Sequence, residues 1–86
     1  MNNASTHFEI KELESGETVI NRGDRGDAAY LIRSGEVEVF LETRGQEKIL
    51  DRLGPGKIFG ESALIRRSRR NASVRATKPT SLVVIT

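Results

Sequence analysis

A glycine, a carboxylate and a guanidinium are the residues of this chain best equipped for chemistry: Gly60, Glu61 and Arg70. They lie in residues 59–76. That stretch reads Phe59-Gly60-Glu61-Ser62-Ala63-Leu64-Ile65, then a basic loop Arg66-Arg67-Ser68-Arg69-Arg70, then Asn71-Ala72-Ser73-Val74-Arg75-Ala76. A short helix that starts just after Gly60 leaves its first backbone N–H groups without partners inside the helix, so they can face an anion. Arg70 supplies a planar fork of donors that matches phosphate oxygens. Glu61 repels a phosphate but accepts hydrogen bonds from hydroxyl groups. An anion cradle, a planar cation and a hydroxyl acceptor together describe a receptor for a sugar phosphate. The bland alternative makes Gly60 a turn residue and Glu61 a favourable charge at a helix start.

The elements that would hold these groups are short and mostly extended. Glycines at positions 16, 23, 26, 35, 45, 54, 56 and 60 punctuate runs of Val, Ile, Leu, Tyr and Phe. Glu36-Val37-Glu38-Val39-Phe40 alternates charged and apolar side chains, as a half-buried strand does. Further strands are expected near residues 18–21, 28–32, 48–53 and 72–76; residues 7–13 could be a strand or a helical turn, and a strand is favoured. Residues 81–85 form an almost continuous apolar run, expected to be buried on both faces. Only residues 62–66 read as helix. Many short strands between Gly and Pro turns point to a sandwich, barrel or jelly roll. Tyr30, Phe40 and Phe59 are expected in the core, with Phe59 anchoring the start of the 59–76 segment.

Composition narrows the function classes. Eighty-six residues make one small domain. There is no Cys, hence no disulfide framework or thiolate metal site. The single histidine, His7, cannot form the His and carboxylate cluster of a barrel metalloenzyme. No apolar run approaches the length of a membrane span, and residues 1–6 lack the apolar centre of a signal peptide. Cytoplasmic residence is the expectation. The net charge is only +2, although Arg66, Arg67, Arg69, Arg70 and Arg75 cluster. No aromatic residue interleaves with these arginines to stack on bases, so the cluster reads as a solvated loop with one functional arginine, and nucleic acid is not an expected partner. Arg22-Gly23-Asp24 and Arg25-Gly26-Asp27 read as a turn. Asn3-Ala4-Ser5 and Asn71-Ala72-Ser73 match a glycosylation pattern by coincidence, given that no secretory signal is seen.

Residues 59–76 resemble the phosphate-binding cassette of the cyclic-nucleotide-binding domain family, the family of bacterial catabolite activators, regulatory subunits of cyclic-AMP-dependent protein kinase and cyclic-nucleotide-gated channels. Phe59-Gly60-Glu61 and Ala63-Leu64 match its pattern, Arg70 stands at its spacing, and Ala72-Ser73-Val74 follows. Upstream, Gly16-Glu17, Gly23-Asp24, Gly26-Asp27, Tyr30, Ile32, Gly35, Val37, Val39 and Gly54-Pro55-Gly56 also stand where the family has them. The resemblance covers residues 8–86. Two positions depart from the pattern: Arg69 replaces a frequent Pro, and Asn71 replaces a common Ala, Ser or Thr.

The resemblance implies an all-β, eight-stranded antiparallel jelly-roll barrel with a short cassette helix before the seventh strand. It implies a tail over residues 1–6 and a domain over residues 7–86. Family members continue with helices that cover the nucleotide, so the resemblance implies that those lid helices and an output domain lie outside this chain. The implied function is binding of a cyclic nucleotide, cyclic AMP ahead of cyclic GMP, without catalysis, metal or other cofactor. Occupancy would be passed to an unidentified effector. Backbone amides around Gly60, Ser62 and Ala63, with that of Asn71, would hold the cyclic phosphate. Arg70 would neutralise it, Glu61 would accept from the ribose 2′-hydroxyl, and Ser73 would add a polar contact. The rival reading is a ligand-free jelly roll serving as a structural or oligomerisation element.

Overall fold

The computed structural model describes residues 8–66 and 68–86. The expected tail over residues 1–6, with His7 and Arg67, lies outside the described residues. The elements run β1 (Glu9–Leu13), β2 (Thr18–Ile20), β3 (Ala29–Ser34), β4 (Val37–Thr43), β5 (Gln46–Leu53), β6 (Ile58–Phe59), α1 (Ser62–Arg66), β7 (Ser73–Ala76) and β8 (Thr80–Ile85). They form two four-stranded sheets, β1-β8-β3-β6 and β2-β7-β4-β5, and every strand pair is antiparallel. The chain crosses from one sheet to the other at each strand connection except the β4–β5 hairpin. Two sheets with that crossing order are a jelly roll.

Alternation along the strands sets the layers, because successive side chains point to opposite faces. Leu13, Ile20, Ile32, Val37, Phe59, Val74, Ala76 and Leu82 fill the space between the sheets. Tyr30 packs against this core and stacks on Phe59, with ring centroids 5.3 Å apart. Phe59 therefore anchors the entry to α1, as expected. Phe40 is buried, as expected, but outside the central cluster. The β4–β5 register shifts between Val39 and Phe40, and Phe40 is covered instead by the Arg75 guanidinium, 4.1 Å from its ring centroid.

β8 departs from expectation. Thr80, Ser81 and Leu82 are buried, whereas Val83, Val84 and Ile85 are half-buried. The strand has neighbours on both edges, but only one of its faces meets the second sheet. β6 was not foreseen, since two residues are too few to show a period. Gly35 fixes the corner between β3 and β4. Its φ is 94°, and a Cβ there would run into Thr80 and the Pro79 carbonyl oxygen. The Glu36 amide next to it donates to Thr80 Oγ1 at 3.1 Å, which ties that corner to the start of β8.

Candidate functional site

A cavity of 320 Å³ opens between the inner face of the β2-β7-β4-β5 sheet and the segment running from β6 through α1 to β7. Its size is in the range of small-molecule sites. The sequence expectations converge here: Gly60, Glu61, Ser62, Arg70 and Asn71 all line it, together with Ser68.

Gly60 makes the turn from β6 into α1. Its φ is 80°, a region that costs a side-chain-bearing residue strain. It also has no room for a Cβ, which would sit 3.0 Å from Arg70 Nη1 and 3.2 Å from Ile20 Cδ1. Glu61 follows, exposed to solvent, and its carbonyl accepts from the Leu64 amide at 3.0 Å. α1 is a single short turn of Ser62–Arg66. Its first amides, Ser62 and Ala63, lie too early in the helix for an intrahelical acceptor.

Arg70 is clamped at both backbone ends. Its amide donates to the Asp24 carbonyl at 2.8 Å, and its carbonyl accepts from the Gly23 amide at 2.8 Å. Arg69 Nη1 donates to the Gly23 carbonyl at 2.9 Å. The Arg22-Gly23-Asp24 turn is thus a brace for the cassette arginine. The Arg70 side chain is half-buried and anchored too: Nη1 donates to the Gly60 carbonyl at 2.7 Å and Nη2 to the Ala28 carbonyl at 2.6 Å. These two bonds engage two of its five N–H donors.

Ser73 is not brought to the cavity. Val74 takes the inner face of β7, so Ser73 points to the outer face, where its Oγ accepts from the Arg22 amide at 2.9 Å. Sequence reasoning left out the cavity's sheet wall: Ile20, Val39, Asp51, Leu53 and Val74. Their alternation marks them as strand residues, but only the pairing of four strands places them side by side.

The perturbed ionisations lie on the outer face of that same sheet. Arg75 Nε donates to Glu38 Oε2 at 2.7 Å, and its two terminal nitrogens donate to both Glu47 oxygens at 2.9 and 2.8 Å. Arg52 approaches the other Glu38 oxygen at 3.5 Å. Hydrogen bonds from Arg75 hold the Glu47 carboxyl below its ordinary value, and those from Glu47 and Glu38 push the Arg75 guanidinium up. This network covers Phe40 and satisfies the buried Glu38, which is a structural duty. Among the described residues no group of His, Cys, Asp and Glu is placed to hold a metal ion. No described helix is long and apolar enough to cross a membrane.

Comparison with known proteins agrees with this architecture. The cyclic nucleotide-binding domain family matches residues 10–86. The cyclic AMP receptor protein of Thermus thermophilus is 37% identical over 83 residues, spanning 95% of this chain and 38% of that protein. A cAMP-dependent protein kinase regulatory subunit of Mycosarcoma maydis is 37% identical over 76 residues, 88% of this chain and 14% of that protein. Among solved structures, the cAMP-bound form of the EAL enzyme Bd1971 superposes with a TM-score of 0.88 at 38% identity. The match covers 91% of this chain and 21% of that one. Its cGMP-bound form gives the same figures. The chain thus spans well under half the length of these relatives.

Proposed function

Because the chain belongs to the cyclic nucleotide-binding domain family, we propose that the cavity takes a cyclic nucleotide, cyclic AMP as its native ligand, and that the chain senses it for an effector elsewhere in a longer protein. The observation that carries this reading is the Arg70 guanidinium, pinned by the backbone carbonyls of Gly60 and Ala28 in the same cavity wall as the start of α1. Two hydrogen bonds fix the fork in place, so little side-chain freedom is lost when an anion arrives.

In this reading Arg70 directs its remaining donors at the cyclic phosphate. The amides of Ser62, Ala63 and Asn71 share that charge, and Gly60 keeps the backbone close enough for them to do so. Glu61 accepts from the ribose 2′-hydroxyl. Ser73 takes no direct part, because its hydroxyl is engaged on the other face of β7. The site binds without making or breaking covalent bonds. The names of the Thermus receptor and the kinase regulatory subunit support cyclic AMP as the ligand, and a cytoplasmic setting goes with that ligand.

Calorimetric titration of this chain with cyclic AMP and cyclic GMP tests the reading. The expected result is one site for each, with cyclic AMP favoured by less than about tenfold, since one base-specific hydrogen bond is worth about 0.5–1.5 kcal/mol. Absence of heat and of any melting-temperature shift with millimolar concentrations of either nucleotide would overturn it.

A further inference from the structure

The cavity floor is a single row across one sheet. Ile20 of β2 pairs with Val74 of β7, Val74 with Val39 of β4, and Val39 with Asp51 of β5. Cross-strand partners share a face, so all four side chains point the same way, and all four line the cavity. Three are apolar. The fourth is a carboxylate at the far end of the row.

The two ends of this row differ in charge. Ile20 lies beside Gly60 and, through it, beside the Arg70 guanidinium. Asp51 is three strand spacings away, about 14 Å at about 4.8 Å per strand. Both charged side chains reach into the cavity from opposite ends. A ligand with its phosphate on Arg70 therefore extends along Val74 and Val39 toward Asp51.

Asp51 is also aimed by its backbone. The β4–β5 register shifts right next to it, so that Val39 faces Asp51 while Phe40 faces Ile49, leaving Leu50 unpaired. Bulges of this kind re-aim a side chain next to a site. One carboxylate oxygen, Oδ1, accepts from the Arg52 amide at 2.8 Å. That bond fixes the side chain and leaves Oδ2 for another donor.

We propose that Asp51 reads the base: its carboxylate accepts a hydrogen bond from the adenine 6-amino group at the far end of the ligand, which favours cyclic AMP over a purine bearing hydrogen or a carbonyl at that position. A carboxylate only accepts. The adenine 6-amino group satisfies it and the guanine 6-carbonyl opposes it; guanine turned to present its N1–H and 2-amino donors would satisfy it too, so the purine analogue without the amine is the deciding ligand. This rests on the reading of the cavity as a cyclic-nucleotide site.

The test titrates wild type, Asp51→Ala and Asp51→Asn with three ligands: cyclic AMP, cyclic GMP, and purine riboside 3′,5′-cyclic monophosphate, which lacks the amine. Wild type should bind cyclic AMP about 3- to 10-fold tighter than the purine analogue, the worth of one net hydrogen bond. In Asp51→Ala that ratio should fall to near one. In Asp51→Asn, whose amide can also donate, cyclic GMP should gain on cyclic AMP. Asp51 is exposed on an edge strand, and the Asn variant keeps its shape, so both proteins remain readable. Ratios that do not change across the three proteins overturn the role of Asp51 while leaving nucleotide binding standing. Failure of every nucleotide to bind wild type overturns both readings together.

Discussion

The Arg70 guanidinium donates a 2.7 Å hydrogen bond to the carbonyl oxygen of Gly60, the residue ten positions before it at the head of α1. That bond joins the two halves of the cassette before any ligand is present. Arg70→Ala is therefore expected to weaken cyclic-nucleotide binding by about 2–4 kcal/mol, or about 30- to 1,000-fold. Arg70→Lys should also bind clearly worse, because a point charge cannot hold two carbonyls and an anion together. Arg44→Ala, in the β4–β5 hairpin turn, removes equal charge at a distance. Equal losses at positions 44 and 70 in a calorimetric comparison would point to diffuse electrostatics.

Gly60→Ala should act on the same bond from the other side. A residue with a Cβ at φ 80° pays a backbone cost of about 1–2 kcal/mol. The new methyl also meets Arg70 Nη1 at 3.0 Å and Ile20 Cδ1 at 3.2 Å. We expect a lower melting temperature together with weaker nucleotide binding. A variant that melts like wild type and binds like it would show that the guanidinium position does not matter.

Much of this architecture was legible in the sequence, and the failures have physical causes. Glycine spacing, period-two alternation and one continuous apolar run placed most of the strands within a few residues, because burial on one face imposes that alternation. β6 escaped because Ile58 and Phe59 are too few to alternate. Phe40 is buried as its type suggested, but a bulge and the flat face of Arg75, not the inter-sheet core, give it its cover, and neither is visible in the sequence. In the cavity, Gly60, Glu61 and Arg70 were readable from local pattern. The Ala28 and Gly60 carbonyls that anchor Arg70 were not, since every residue has a carbonyl. Asp51 was missed for a related reason: it becomes a wall of the cavity only through pairing with Val39.

The exposed Glu61 carboxylate, at the cavity rim, invites a test with altered sugars. A 2′-deoxy analogue of cyclic AMP should bind wild type more weakly than cyclic AMP, by the worth of a hydrogen bond to a charged group, about 1.5–3 kcal/mol at most. Glu61→Gln should shrink that gap, because the amide oxygen accepts less strongly than a carboxylate. The gap, not either affinity alone, isolates the ribose contact. If both proteins discriminate between the two sugars to the same extent, Glu61 does not touch the ribose.

Acid stability should reveal the outer-face network. Arg75 hydrogen bonds hold the folded-state pKa of Glu47 below its ordinary value of 4.5. A carboxyl with a depressed folded pKa favours folding in its ionised form. Its contribution is complete above 4.5 and is lost as pH falls through the lower folded value. The Arg75 pKa is pushed up, so that partner stays charged throughout. Wild type should thus melt above Glu47→Gln at neutral pH, and the difference should close on acidification below 4.5. The difference should also shrink with added salt, since Glu47 is accessible to solvent. Arg75→Ala should cost more than Glu47→Gln, because it also strips the buried Glu38 of its 2.7 Å partner and uncovers Phe40. Melting curves for the three proteins between neutral and acid pH decide the matter: a wild-type advantage over Glu47→Gln that stays constant through the acid range would mean that Glu47 acts by shape alone.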